Sequence, residues 1–185
     1  MIVTGRGVAA PVCLLVLCLA AVGCRSATPE WRHATSATGN YVAEFPGEPV
    51  TRTESAPDSP ISTQFTFSES DEHSFGIVET TLNGIAAYPL DEAVDRSIEG
   101  SRADREEHTG GPVTVSEIWR TTGNFDGAET REFGYQLIDG DEKTTVNSVL
   151  FYRDGNVVQA MVVYDGEADQ EAVDRFLSSL ASEPS

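Results

Sequence analysis

The sequence predicts an α+β fold in which an antiparallel β-sheet is flanked by helices. Most of residues 39–164 alternate apolar and polar side chains between turn-forming residues, which is typical of β-strands. Two segments, 90–107 and 167–180, instead repeat apolar residues at spacings of three and four, as one face of a helix does. The resulting order is strands, helix, strands, helix, which favours an antiparallel sheet packed against helices.

The strands that precede the first helix lie between residues 39 and 82. The first of them ends at Pro46-Gly47, because proline cannot donate to a strand ladder and glycine accepts turn dihedrals. The two prolines at 57 and 60 mark a loop. The predicted strands are 41–45, 50–54, 62–68 and 74–82, of which the last two form a hairpin.

The first helix is predicted from Leu90 to Glu107. Asp91 and Glu92 lie in its first turn, where negative charge interacts favourably with the helix dipole. The residues H-T-G-G-P at 108–112 end it. The apolar face comprises Leu90, Ala93, Val94 and Ile98.

Four further strands and a second helix follow. Asp-Gly turns at 139–141 and 153–156 predict hairpins. Strands 144–152 and 156–164 are the most hydrophobic of the mature chain and are predicted to be the central ones. The remaining predicted strands are 113–121 and 128–137; Arg131, Phe133, Tyr135 and Leu137 are expected to face the core, and the second helix spans 167–180.

The N-terminal residues determine where the protein is expected to reside. A basic residue, Arg6, precedes the apolar run Val8–Val22, as in a secretory signal peptide. This run is shorter than the roughly 20 residues of a membrane-spanning helix. The final residues A-V-G-C resemble a bacterial lipobox, although Ala21 stands where leucine is usual, and Cys24 is the predicted site of lipid attachment. Two alternatives are an ordinary signal peptide with an incidental cysteine and an uncleaved signal anchor.

Three segments follow from this interpretation: a signal peptide over 1–23, a flexible spacer over 24–38 and a globular domain over 39–182. A diacylglycerol on Cys24, usually joined by an N-acyl chain such as palmitate, would tether the mature protein stably. The expected location is the extracytoplasmic face of the bacterial cell membrane, with the outer membrane as the alternative in a two-membrane cell. Trp31 lies in the spacer, and docking of its ring on the domain is preferred to contact with lipid headgroups.

Cysteine content and charge exclude several classes of function. The three cysteines lie at 13, 18 and 24, so the exported domain has no thiol for disulfides, thiol catalysis or zinc ligation. Twelve Lys and Arg against 30 Asp and Glu give a formal net charge of −18. Nucleic acid and anionic headgroups would be repelled, because both are bound by clustered basic residues.

No catalytic constellation is recognisable. His33, His73 and His108 are too scattered for a metal pair and are predicted to lie on the surface. Acidic clusters near 69–72, 139–142 and 165–171 lack the spacing of a calcium loop. We therefore expect no metal site, no cofactor and no enzymatic activity.

Four segments resemble proteins of the PsbP-like fold, including the LpqN and DcrB groups of bacterial lipoproteins. The resemblance implies an α/β/α sandwich that serves protein contacts or ligand binding rather than turnover. Its motifs are turns and core residues, with Phe45 filling the core and Phe176 anchoring the last helix, so they specify a fold rather than a chemistry. The matching segments are GNYVAEFPGEPV (39–50), FDGAETREF (125–133), LFYRDGNVVQ (150–159) and DRFLSSL (174–180).

Three functional hypotheses remain. The favoured one is a membrane-tethered, non-catalytic binding or protein-interaction module of the cell envelope. Its sheet face or helix–sheet groove would hold an envelope protein or an apolar or glycolipid ligand, and an exposed apolar cleft would support it. The alternatives are a structural lipoprotein without a ligand and, less favoured, an envelope hydrolase. The sequence assigns no ligand-binding residues.

Overall fold

Two antiparallel sheets and two helices form the part of the chain that the computed structural model describes, residues 30–55, 61–70, 73–82 and 87–183. The larger sheet has the strand order β3-β4-β5-β9-β8-β7-β6, and the smaller sheet has the order β1-β2-β10. The elements are β1 (Trp31–Thr35), β2 (Tyr41–Pro46), β3 (Val50–Ser55), β4 (Ser62–Glu69), β5 (His73–Thr81), α1 (Leu90–Thr109), β6 (Thr114–Phe125), β7 (Ala128–Asp139), β8 (Glu142–Arg153), β9 (Asn156–Asp165), α2 (Gln170–Ser179) and β10 (Ala181–Ser182).

The predicted α/β/α sandwich, a single sheet flanked by helices, is wrong. Strands make up 57% of the described residues and form two sheets, with only two helices among those residues. Helix α1 packs on one face of the larger sheet, over β6, β7 and β8. The opposite face is covered by the smaller sheet together with α2. The second sheet exists because β2 pairs with two segments, 31–35 and 181–182, that show no strand periodicity in the sequence.

Most element predictions are confirmed. Strands β9 and β8 occupy the centre of the larger sheet, as their hydrophobicity predicts. They are joined by Asp154-Gly155, whose positive φ angles of 49° and 80° suit a tight hairpin turn. Helix α1 ends at Gly110 in the left-handed conformation, and its N–H donates to the Glu106 carbonyl.

The spacer prediction is wrong for residues 31–35, which pair with β2 and extend the folded part toward the N-terminus. The Trp31 ring packs edge-on against Phe75 at 5.7 Å between centroids, which confirms the predicted docking. At the other end of the domain, residues 181–182 pair with β2 and form β10. Segment 1–23, Cys24 and the remaining spacer residues 25–29 lie outside the described residues.

Two apolar cores lie on the two faces of the larger sheet. The core under the smaller sheet is rich in aromatic rings, among them Phe45 and Phe176, both fully buried with centroids 5.1 Å apart. The core under α1 contains Val94, Phe133 and Tyr135, which are fully buried. Phe133 and Tyr135 thus face the core as predicted, whereas Arg131 lies at its margin and pairs with Asp91 of α1.

Buried hydrogen bonds fix the smaller sheet on the larger one. The β1–β2 turn donates from the Ala37 N–H to Thr66 Oγ1 at 2.8 Å. In the same turn, the Thr38 hydroxyl and N–H both donate to the carboxylate of Glu79, which is only 1% exposed. Since a buried carboxylate without donors is costly, this contact ties the turn to one place on β5.

Within the described residues, neither helix is long and apolar enough to cross a membrane.

Candidate functional site

The structure places one of the three predicted surface histidines in the interior. His73 is 9% exposed, and its ring stacks between those of Phe75 and Tyr164. Its Nε2 accepts a hydrogen bond from the Asp169 N–H at 3.2 Å, at the start of α2. The surface prediction is therefore wrong for His73, while His33 and His108 are exposed.

Among the described residues, no group of three or more His, Cys, Asp or Glu side chains is arranged to hold a metal ion.

The small pocket beside His73, about 240 Å³, is bounded by Trp31 and Arg175. Arg175 stacks on the Trp31 ring at 4.6 Å and pairs with Glu44, and the hydrogen bond from Arg175 lowers the pKa of that carboxyl group. The Arg175 guanidinium is thus already engaged by Trp31 and Glu44, and the other charged side chains that line this pocket, Asp169 and Glu171, are acidic.

A first candidate surface lies on the same face of the larger sheet as α1, and it begins where Met161 and Val163 pack against the margin of the core under α1. We call it the apolar face. Its residues point to the same side as α1, because they are paired in register with residues that α1 covers. It consists of Val50 on β3, Phe65 and Phe67 on β4, Val78 on β5, and Met161 and Val163 on β9.

The apolar face is partly exposed to solvent. Val50 is 58% exposed, and the other five side chains are half-buried. A shallow open depression of about 230 Å³ lies in the middle of the face, at Gly76 between Phe67 and Met161. Contiguous exposed apolar surface of this kind marks sites of contact with proteins or membranes.

The apolar face is continuous with a free sheet edge. Among the residues that the structure describes, strand β3 pairs with β4 alone and forms one edge of the larger sheet. An edge strand presents unpaired backbone groups to solvent and can pair with another chain. The edge and the apolar face together therefore offer both backbone hydrogen bonds and apolar contact.

A second candidate surface, which we call the helix–sheet groove, lies on the opposite face between α2 and strands β6 to β9. Its volume is about 650 Å³, within the range of small-molecule sites. The lining residues are Gln170, Val173, Asp174, Leu177 and Ser178 on α2, and Ile118, Trp119, Glu132, Thr145, Asn147, Val149 and Tyr164 on the strands.

A β-bulge supplies the apolar wall of the groove. The register of β6 against β7 shifts between Glu117 and Trp119. A bulge breaks the strict alternation of a strand, so Ile118 and Trp119 both line the groove although they are consecutive in sequence. They remain 51% and 38% exposed, respectively.

Gly134 on β7 lets the Trp119 indole lie against the backbone. A Cβ at this position would come within 2.8 Å of Trp119 Cε2 and 2.9 Å of Asn147 Oδ1, closer than Cβ atoms normally approach. Asn147 is held from the other side, because its Nδ2 donates to the Tyr164 hydroxyl at 3.2 Å. The floor of the groove is therefore ordered by contacts inside the protein.

Comparison with known proteins shows the fold. The chain is similar to the solution structure of cyanobacterial PsbP (CyanoP) from Synechocystis, with a TM-score of 0.56, 10% sequence identity and coverage of 89% of this chain and 99% of that one. A second solved structure, PA94 from Pseudomonas aeruginosa, a protein of unknown function, matches with a TM-score of 0.36, 13% identity and coverage of 73% and 83%. No protein-family model and no curated protein sequence matches the chain. The predicted PsbP-like fold is confirmed; the grouping with LpqN and DcrB stays a prediction.

Proposed function

We propose that this PsbP-like chain is a lipid-anchored, non-catalytic interaction module of the bacterial envelope that binds a partner protein through the apolar face. The observation that carries this proposal is the apolar face itself, a half-covered sheet surface of large side chains beside a free edge strand. The lipid anchor on Cys24 is supported by the sequence of residues 8–24.

The geometry favours a protein over a lipid as the occupant. A lipid or other small apolar ligand needs a cavity that buries most of its surface. The depression at Gly76 is shallow, open and only about 230 Å³ in volume. A partner segment that adds to β3 would instead gain backbone hydrogen bonds and place alternate side chains on the apolar face.

The tether is compatible with this docking. Cys24 precedes Glu30 by six residues, which spans at most about 20 Å when extended. The Glu30 carbonyl accepts a hydrogen bond from Gly47, three residues before Val50. The anchor would therefore hold the domain close to the membrane at the end that carries the start of β3, where membrane and envelope proteins are within reach.

Site-specific photo-crosslinking tests the docking in the full chain in its native membrane. A photoreactive phenylalanine analogue placed at Phe67 is expected to yield one defined protein adduct. Val50→Asp should abolish that adduct, since it places a charge on the apolar face at a side chain too exposed to matter for folding. Thr114→Asp, an exposed strand residue on the opposite sheet edge, is the matched control and should preserve it.

An adduct with lipid, or a protein adduct that survives Val50→Asp, would contradict the proposed docking. The anchor is tested separately by Cys24→Ser, which removes the thiol that receives the lipid. We expect the variant protein to be released from washed membranes, whereas unchanged membrane association would refute the anchor but not the docking.

A further inference from the structure

We propose that the helix–sheet groove is a second binding site, for a small organic cation of the alkylammonium class. This site lies on the face of the larger sheet opposite the apolar face, and the inference is independent of the protein-docking function. It rests on the shape of the groove, on its aromatic wall and on the sign of the charges that line it.

The shape is suited to a small molecule rather than to a flat protein surface. Helix α2 forms one wall, and the strands form the floor and the other wall. At about 650 Å³ the groove is nearly three times the volume of the depression on the apolar face. A ligand lying along it would contact Leu177 on the helix and Trp119 on the sheet together.

The aromatic wall supplies a surface that attracts cations. The face of an indole ring carries negative electrostatic potential, and tryptophan is the most favourable aromatic partner for a cation. Trp119 is held against Gly134 by the bulge in β6, yet it stays 38% exposed. By contrast, the ring of Trp31 already has the Arg175 guanidinium above it, 4.6 Å from the centroid.

The charges in the groove have one sign. Glu132 lines the sheet wall and Asp174 the helix wall, while no lysine or arginine of the described residues lines the groove. The only described partner of the Asp174 carboxylate is the neutral amide of Gln170, at 2.7 Å. All nine described arginines form ion pairs elsewhere, so within the described chain neither groove carboxylate is neutralised by one of them.

These features together select an alkylammonium group. An anion would be repelled by both carboxylates. A neutral apolar ligand would lie beside both carboxylates without supplying a positive charge to balance them. An alkylammonium group places its charge between carboxylate and indole face, while its carbon chain covers the apolar side chains Ile118, Val149 and Leu177. Because the two carboxylates are partly solvated, the affinity should fall with salt.

Fluorine NMR of the full chain in an uncharged detergent tests the site. The chain contains two tryptophans, so 5-fluorotryptophan labelling gives two resonances, one from the groove and one from Trp31. Choline is the probe, and 3,3-dimethylbutan-1-ol is its uncharged isostere. We expect choline to shift the Trp119 resonance saturably, to leave Trp31 unmoved, and to bind at least threefold more tightly than the isostere.

A pair of double variants distinguishes the effect of the two groove carboxylates on choline binding from the effect of the protein's overall negative charge. Glu132→Gln with Asp174→Asn removes the two groove carboxylates and should weaken choline binding at least threefold. Asp104→Asn with Glu107→Gln removes two exposed carboxylates on α1 and should leave the affinity for choline unchanged. Equal affinity for the two probes, parallel shifts of both tryptophans, no shift of Trp119, or equal losses in the two double variants would each overturn the proposal.

Discussion

The two faces of the larger sheet are covered in different ways. On one face the smaller sheet and α2 together close over an aromatic core that includes Phe45, Phe75 and Phe176. On the other face a single helix, α1, lies mainly over β6 to β8 and touches β9 at Gln159, and its core is mainly aliphatic. The first face is largely buried over β4 and β5 and opens at the helix–sheet groove, whereas on the second face strands β3 to β5 keep their apolar side chains partly exposed.

The difference shows how the cover of a sheet determines what remains available for binding. A helix is about 10 Å wide and covers roughly two strands of a sheet, since strands are spaced about 4.8 Å apart. One helix is therefore too narrow for seven strands, and the part it leaves open becomes the apolar face. The smaller sheet and α2 cover more strands, so the groove on their side lies only at the end beyond α2.

Truncating one buried side chain in each core gives the largest test of this contrast. Phe176→Ala should destabilise the protein by about 3–5 kcal/mol, because the ring is fully buried among aromatic neighbours that cannot collapse into the space. Ile98→Ala on α1 should cost about 2 kcal/mol, at the lower end of such truncations, because Ile98 is 9% exposed at the helix margin. Urea unfolding of both variants measures the difference. Equal losses in the free energy of unfolding would mean that the elements covering the two faces contribute equally to stability.

The elements of the larger sheet were predictable from local pattern. Strands β8 and β9 are predicted by their long apolar runs and the Asp-Gly turn between them. Helix α1 is predicted by the spacing of its apolar residues and by its acidic first turn. Phe65 and Phe67 alternate with polar residues in the predicted strand 62–68, but alternation predicts which residues share a face and not whether another element covers that face. The apolar face depends on the reach of α1, which is a property of the tertiary structure.

The second sheet and the groove could not be predicted from the same signals. Residues 31–35 and 181–182 are too polar or too short for strand periodicity and gain their conformation from pairing with β2. His73 follows an acidic turn in the sequence, which suggests exposure. In the structure the first residue of β5, His73, lies beneath the start of α2, and this contact buries its side chain. The groove depends on a bulge at Ile118 and on contact between Gly134 and Trp119, residues fifteen positions apart. An isolated glycine in a strand was the only sequence signal for that close approach.

Two glycine-to-alanine changes on opposite faces sharpen the comparison. Gly134→Ala should destabilise the protein by about 1–3 kcal/mol, because the new Cβ would overlap the Trp119 ring and the Asn147 amide. Gly76→Ala should stabilise it by about 0.5–1 kcal/mol, since a Cβ there meets its nearest neighbours at 3.7–3.9 Å and strand glycines are entropically costly. Thermal unfolding monitored by circular dichroism shows whether each variant is more or less stable than the native protein. Stabilisation by Gly134→Ala would show that Trp119 is not held against the sheet.

The smallest expected effect concerns the junction at which α1 joins its face of the sheet. Glu106 Oε1 accepts a hydrogen bond from the Val113 N–H at 3.1 Å and pairs with Arg102, and these two contacts lower the pKa of the carboxyl group from its ordinary value of 4.5. A group with a lowered pKa in the folded state contributes stability above its unfolded pKa and loses it as the pH falls through the folded value. Glu106→Gln keeps an acceptor oxygen but does not titrate. The melting temperature of the native protein should therefore exceed that of the variant at about pH 7, and the difference should vanish toward about pH 3. Glu107→Gln, its exposed neighbour, should show no such convergence, and a difference that persists in acid would mean that Glu106 acts through packing and not through its charge.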